Sequence, residues 1–379
     1  MKLIKRALLA AALLVVPATA QAQVDSALAV SSGGVSLFKV FVDGTISAFS
    51  SSTPLLRLRA GSPAGNRFVV DSAGGVVALG MLGIGIIPQT GAGERMMWHP
   101  YKGSFRAGGV SGSQWDDSSM GFYGAAFGYN TIGTGNYSFV SGYQSLAQAS
   151  YSTAIGYTAN ANGTGAVAIG YRVTADANYS VAIGHRASAN GFAGAIVFSD
   201  QSSTDSVEAS ANNQFSLRAA GGIRLYTNST KTTGVTMNAG GSAWNVLSDR
   251  NRKENFLSID GEDLLARLRN VPVTTWNYIA EGRQVRHIGP MAQDWHAAFG
   301  FNADPLTINQ GDFDGVNLAA VKALDARTQV QAQTIEAQGR TIAAQQQTID
   351  AQGRELAEVR ARLERIEAAL AAQGTAAKP

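Results

Sequence analysis

Cysteine is absent from this chain, so neither a disulfide nor a thiolate site can form, whatever compartment it reaches. Charge is scarce as well: Asp, Glu, Lys and Arg make up 15% of the 379 residues, against about 25% in an average soluble protein. The formal net charge of +3 falls to zero once Lys2, Lys5 and Arg6, which lie in a removable leader, are taken away. Nucleic acid and acidic surfaces are therefore not expected as partners. No apolar stretch of about 20 residues follows the leader, so no transmembrane segment is expected after its removal. No His-Asp-Ser constellation, metal cluster or phosphate loop is found, which leaves an enzyme acting on other molecules without support. The run Gly80-Met81-Leu82-Gly83-Ile84-Gly85 lacks the following helix and the acidic residue of a dinucleotide loop. His185 has no second ligand at metal spacing. Asp312-Phe313-Asp314-Gly315 lacks the further ligands of a calcium loop and reads as a turn. No cofactor and no metal are expected, and stability has to come from burial and assembly.

What the chain does have is 45% hydrophobic residues and 43 glycines, a balance that suggests repeats more than one large globule. Residues 1–22 read as a secretory signal, with basic Lys2, Lys5 and Arg6, an apolar run from Ala7 to Val16, and small Ala20 and Ala22 at a cleavable end. Export follows, to the cell surface, the periplasm or the extracellular space. Residues 23–123 read as a β-rich fibre segment, with alternating strands at Val35–Val42, Leu55–Arg59, Arg67–Val70 and Val76–Gly80. The cluster around Trp98-His99 and Trp115-Asp116-Asp117 fits either an aromatic carbohydrate platform or a transition piece between fibre segments, and the second reading is favoured.

From 124 to 199 a repeat takes over: Gly128, Gly142, Gly156, Gly170 and Gly184 stand 14 apart, followed by Tyr129, Tyr143, Tyr157, Tyr171 and His185. Ser138, Ser152 and Ser180 hold one phase, with Ala166 substituting, while Phe127, Ser141, Ile155, Ile169 and Ile183 precede the glycines. A period of 14 suits one coil of two short strands, with glycine where the backbone turns tightly. A single coil cannot cover its apolar edge, so stacking and trimerisation together are expected to bury Ile155, Ile169 and Ile183. The block resembles the head repeat of trimeric autotransporter adhesins (YadA-like), which implies a left-handed parallel β-roll. The tyrosines form either an adhesive ladder or a structural stack beside each turn.

Residues 200–247 return to short strands, Gln214–Ala219, Ile223–Tyr226 and Gly234–Met237, and read as a β neck. In residues 248–320 the period changes. Leu257, Ile259, Leu264, Leu265 and Leu268 suit a short helix stopped near Asn270-Val271-Pro272. Val273–Tyr278 and Gln284–Ile288 read as strands, and Met291–Phe299 as helix. Residues 321–372 carry an unbroken heptad seam, with Val321, Thr328, Ile335, Ile342, Ile349, Leu356, Leu363 and Leu370 interleaved by Leu324, Gln331, Gln338, Gln345, Gln352, Val359 and Ile366. That is a coiled coil. Isoleucine at one seam position favours more than two strands, and glutamine at the other fixes register at a cost in stability.

Between the two halves lies Leu247-Ser248-Asp249-Arg250-Asn251-Arg252-Lys253-Glu254-Asn255. A serine with a lysine five residues on is the minimum set for Ser-Lys chemistry, in which an amine takes the hydroxyl proton and the oxygen attacks a carbonyl. The nearest carbonyl belongs to Leu247, so the products would be a chain ending at Leu247 and a new N-terminus at Ser248. The alternative is Ser248 as an N-cap with Asp249 in the first turn of a helix. The motif Ser248-Asp249-Arg250-x-x-Lys253-x-Asn255, with Leu264-Leu265, Pro272-x-x-x-Trp276-x-Tyr278 and His287-Ile288-Gly289-Pro290-Met291-Ala292-Gln293-Asp294 in order, resembles the endosialidase-type intramolecular chaperone, an auto-processing serine peptidase domain. The resemblance covers about Trp244 to Leu324 and implies a domain that trimerises, guides folding of a β-rich trimeric fibre and cuts itself off before Ser248. It makes Ser248 and Lys253 the catalytic pair, with Asp249, Arg250, Asn255, His287 and Gln293 as supporting candidates. His287 either orients the pair or binds the oxyanion, or else is a packed structural histidine. Drying of Lys253 beside Arg250 and Arg252 at a trimer interface would let the amine act as a base.

The expected fold is therefore multi-domain: a β-rich trimeric fibre with parallel β-roll repeats, a small α+β chaperone domain and a trimeric coiled coil. The rival function is an uncut trimeric adhesin that binds a host or glycan ligand through its head.

Overall fold

The computed structural model describes residues 28–32, 35–40, 46–48, 56–61, 64–71 and 73–376, with side chains over 68–71 and 73–372. The expected signal at 1–22 and the ends of the first two expected strands lie outside them. The chain divides into two compact units, Met1–Ile223 with Asn238–Ser242 and Arg224–Met237 with Ala243–Pro379. Among the described residues no helix is long and apolar enough to cross a membrane.

The first unit opens with two antiparallel three-stranded meanders, Leu28–Ser32, Val35–Val40 and Ile46–Ala48, then Leu56–Gly61, Ala64–Val70 and Val76–Ala78. Glycine and serine between short alternating strands give this pattern. The 14-residue repeat then builds two parallel sheets. Each coil contributes one strand of five residues, such as Thr153–Tyr157, to a nine-stranded sheet, and one of two residues, such as Asn160–Ala161, to a six-stranded sheet. Register is residue for residue: Ala154 lies beside Val140 on one coil and Ala168 on the next. The long sheet runs past the last repeat glycine, through Ile196–Ser199 to Phe215–Arg218, so the neck strand expected near 214–219 is the last strand of this sheet.

The residues inside the coils are not the isoleucines. The buried column is Ala126, Val140, Ala154, Ala168, Ala182 and Val197, and on the facing sheet Ala147, Ala161 and Ala175. Two strands joined by such short turns enclose space for small side chains only, so Ile155, Ile169 and Ile183 point outward and stay half-buried in one chain. Ser152 and Ser180 are fully buried and donate to the carbonyls of Ala149 and Ala177 at 2.6 and 2.7 Å, closing each turn.

At the start of the column stands Arg106, in register with Ala126. It is fully buried, and its guanidinium donates to the carbonyls of Phe105, Gly124 and Gly133 at 2.9, 3.1 and 3.1 Å. Burial pushes it down to about 10. Beyond it Met97, Val110, Trp115 and Met120 form a separate end cluster, and Trp115 donates to Thr131 O at 2.9 Å. Trp115 is fully buried, so its indole is closed to a sugar, whereas Trp98 of the same cluster is 37% exposed.

The repeat glycines sit where two backbones touch. Gly156 has φ +134°, and a Cβ added there would lie 2.0 Å from the Gly170 carbonyl oxygen of the next coil. Two residues on, Thr158 is held at φ +49°, a region that a β-branched residue rarely adopts.

The second unit holds the three-stranded sheet ending in Gly234–Met237 and Asn245–Val246, then helix α1 (Gly261–Arg269), a two-stranded sheet of Thr274–Trp276 and His287–Gly289, helix α2 (Ala292–Phe299) and helix α3 (Gln310–Ala376). Asp260 caps α1 by accepting from the amides of Glu262 and Asp263. The cap starts the helix after Leu257 and Ile259, which are 89% and 63% exposed and lie outside it, contrary to the sequence expectation. Gly300, at φ +67°, ends α2. The core packs Leu264, Leu265, Val271, Trp295, Val316 and Ala320, with Phe313 against Trp295 at 5.1 Å. That packing draws Asp312-Phe313-Asp314-Gly315 into the first turns of α3, and the expected turn is helix instead.

Gly156→Ala is expected to lower the stability of the repeat block by more than about 3 kcal/mol, from the strained φ and the carbonyl clash combined. Thr158→Asn, which relieves only the backbone, is expected to raise it by about 0.5 to 1 kcal/mol. Scanning calorimetry of the full chain measures both.

Candidate active site

The polar run after Asn245–Val246 folds into one tight turn. Asp249 has extended backbone, and its carboxylate accepts from the Asn251 amide at 2.9 Å, capping a 3-10 turn over Arg250–Arg252. The cap therefore falls on Asp249 and leaves the Ser248 hydroxyl free for another partner. The turn closes as Lys253 N donates to Arg250 O at 3.2 Å, and the lysine side chain folds back over it. Its Nζ donates to Ser248 Oγ at 2.6 Å. The same contact run in reverse, with a neutral amine accepting the hydroxyl proton, is what a Ser-Lys pair requires.

The surroundings brace this turn from two sides. Arg252 lies 3.6 Å from the Asp249 carboxylate and donates to Thr232 O at 3.4 Å, tying the turn to the loop before Gly234–Met237. The Arg250 guanidinium stands 5.6 Å over the Phe256 ring. Asn255 takes a left-handed φ of +56° and turns the chain out of the site. Leu247 is half-buried and its amide donates to Gly234 O at 3.4 Å, which holds the peptide before Ser248 against the sheet. Ser248 and Lys253 are both exposed in the single chain.

His287 and Gln293 belong to other surroundings. His287 Nε2 lies 2.8 Å from Glu281 Oε2, and its ring packs 4.7 Å from Trp276 and 5.7 Å from Tyr278. Its hydrogen bond thus goes to a carboxylate across the hairpin and not to the Ser248–Lys253 pair. Gln293 is exposed on the first turn of α2. Glu281 lies in the connection between the two expected strands, where no motif of the sequence marks it. The available signal was its place opposite His287 across the connection between two paired strands. The backbone amide of Tyr278 and then His287 hold the Glu281 carboxyl below its ordinary value.

In the first unit the tyrosines after the repeat glycines form a stack: centroids of Tyr143, Tyr157, Tyr171 and His185 follow one another at 5.1, 5.0 and 5.1 Å, with planes within 12°. A second stack joins Tyr123, Tyr137 and Tyr151 at 5.4 and 5.1 Å. Within each stack one ring covers the face of the next, while the end rings keep an open face, as at Tyr151, which is 62% exposed. Among the described residues no group of three or more His, Cys, Asp or Glu side chains could hold a metal.

Residues 248–302 match a family model described as the chaperone of endosialidase. Residues 147–172 and 174–191 match that of the YadA head domain repeat, in two copies. Neither the curated proteins nor the solved structures contain a significant match to the chain. The first match begins at Ser248, the residue that Lys253 contacts.

The Glu281–His287 pair sets an acid limit on the two-stranded sheet. A carboxyl lowered in the folded state stabilises above its unfolded value near 4.5, and that contribution is lost as pH falls through the lower folded value. Glu281→Gln is expected to flatten the loss of hairpin protection below pH 4.5, measured by amide exchange between pH 6 and 3.

Proposed function

We propose that this chain is an exported homotrimeric fibre whose C-terminal module registers three copies, drives folding of the β-rich part and then releases itself by cutting between Leu247 and Ser248. The observation that carries the reading is the 2.6 Å contact of Lys253 Nζ with Ser248 Oγ, one peptide bond beyond a Leu247 held against the sheet. Ser248 Oγ attacks the Leu247 carbonyl, and Lys253 takes its proton. The acyl group passes from nitrogen to oxygen, with the proton delivered to the departing amine. Water then hydrolyses the ester, leaving Leu247 as a carboxylate and Ser248 as a new N-terminus. The turnover is single.

Assembly supplies what the single chain lacks. Proton abstraction needs the amine in its neutral form, and drying of the site by neighbouring chains would favour that form. Apolar surface stands open next to the turn and on the hairpin: Phe256, Leu257 and Ile259 are 62%, 89% and 63% exposed, and Ile279 and Ile288 are 105% and 75% exposed. The seam of α3 and the outward Ile155, Ile169 and Ile183 likewise call for partners. Loss of the registering module after folding removes the easy route back to monomers and makes the fibre kinetically stable. In this reading residues 124–199 form the head, 200–247 the neck, 248–320 the chaperone and 321–372 the coil. Asp249 and Arg252 hold the turn, while His287 braces the hairpin through Glu281.

Mass spectrometry of purified protein is expected to find a new N-terminus at Ser248 in the wild type and an intact chain in Ser248→Ala and Lys253→Ala. A chain truncated before Val321 and held dilute is expected to stay uncut. Scission in Lys253→Ala would defeat the proposed chemistry, and uncut wild-type trimers would favour an adhesin that keeps its module.

A further inference from the structure

The seam of α3 is repetitive where register matters most. Thr334-Ile335-Glu336-Ala337-Gln338-Gly339-Arg340 recurs as Thr348-Ile349-Asp350-Ala351-Gln352-Gly353-Arg354, two heptads later. With isoleucine layers at 335, 342 and 349 and glutamine layers at 331, 338, 345 and 352, a slip of one heptad sets like on like. The residues flanking this stretch carry no charge to discriminate either, being Thr334, Thr341 and Thr348 on one side and Ala332, Gly339, Gln346 and Gly353 on the other.

Charge returns to both flanks at the end of the seam. With Val321 at position a, Glu355 and Arg362 take position g, and Arg360 and Glu367 take position e. In parallel helices in register, a g residue faces the e residue five places on in the neighbouring chain. Glu355 then meets Arg360 of a neighbouring copy, and Arg362 meets Glu367. A slip of one heptad one way sets Glu355 against Glu367, and the other way sets Arg362 against Arg360. All four side chains are exposed, and among the described residues they form no ion pair within their own chain, whereas Arg327 and Arg340 are engaged by Glu262 and Glu336.

We infer that Glu355, Arg360, Arg362 and Glu367 form an interchain lock that selects the parallel, in-register assembly of three copies of this chain. The inference rests on the trimer reading above and adds to it where alignment is decided. Alignment matters upstream, because 14-residue coils from three chains can share an apolar interior only at the same level, and the dyad can be dried only by neighbours at equal height.

The absence of cysteine allows a direct test. In full-length protein carrying Gln345→Cys and the uncleavable Ser248→Ala, aligned chains place the thiols within disulfide reach, whereas one heptad of slip separates them by about 10 Å. Reversing the g pair, Glu355→Arg with Arg362→Glu, is expected to cut the rate of oxidative cross-linking at least about fivefold. Adding Arg360→Glu and Glu367→Arg, which restores every attraction with signs exchanged, is expected to return it. Unchanged cross-linking in the double variant, or no recovery in the fourfold one, overturns the lock. Sedimentation of the parent protein separates the two claims: a trimer whose cross-linking ignores the charges loses only the lock, and a monomer loses the trimer reading with it.

Discussion

A helix of 67 residues, about 100 Å long, that keeps its apolar seam in water is unfavourable on its own, and most of this molecule's behaviour follows from that constraint. Ile335, Ile342 and Ile349 are 67%, 64% and 58% exposed in one chain, while the start of the helix packs on its own module through residues such as Phe313, Val316 and Ala320, with Arg327 paired to Glu262. The outward isoleucines of the repeat block pose the same problem at lower intensity. In the proposed assembly the approach of identical chains would relieve both surfaces at once, which would couple folding of the β-rich part to the state of the Ser248 turn through one association step.

The turn at Ser248 is braced within the single chain. Asp249 caps it, Arg252 ties it to the preceding loop, and Lys253 already touches the hydroxyl. The Ser248–Lys253 contact is thus already present in the single chain, and on the proposed chemistry solvent would be the remaining control. On the proposed chemistry, such an arrangement would keep newly made chains whole without a separate inhibitor.

Much of the architecture could be read from periods alone. A glycine every 14 residues announced the coils and their register, and a seven-residue alternation announced the long helix. What period could not decide was which side of a strand faces inward, because the residue before each glycine stands next to a backbone distortion. The interior is an alanine column, and the larger isoleucines are displaced outward by lack of room. Around the site the spacing of Ser248 and Lys253 was legible, but the Asp249 cap was not, since serine and aspartate compete for the same role. Leu257 and Ile259 fell outside α1 because Asp260 starts the helix later than the apolar pattern suggests. Tertiary packing of Phe313 on Trp295 overrode the turn preference of Asp312–Gly315.

The long sheet carries one further consequence at the end opposite Phe215–Arg218. Every strand from Ser104–Val110 onward runs parallel to its neighbour, but Gly93–His99 runs antiparallel along the rim. A stacked coil from another fibre would meet hydrogen-bonding groups spaced for the opposite direction, beside the charged Glu94 and Arg95. A further coil running the same way as the others would have to pair antiparallel with Gly93–His99, so the parallel ladder of the coils ends at this rim by chain direction itself.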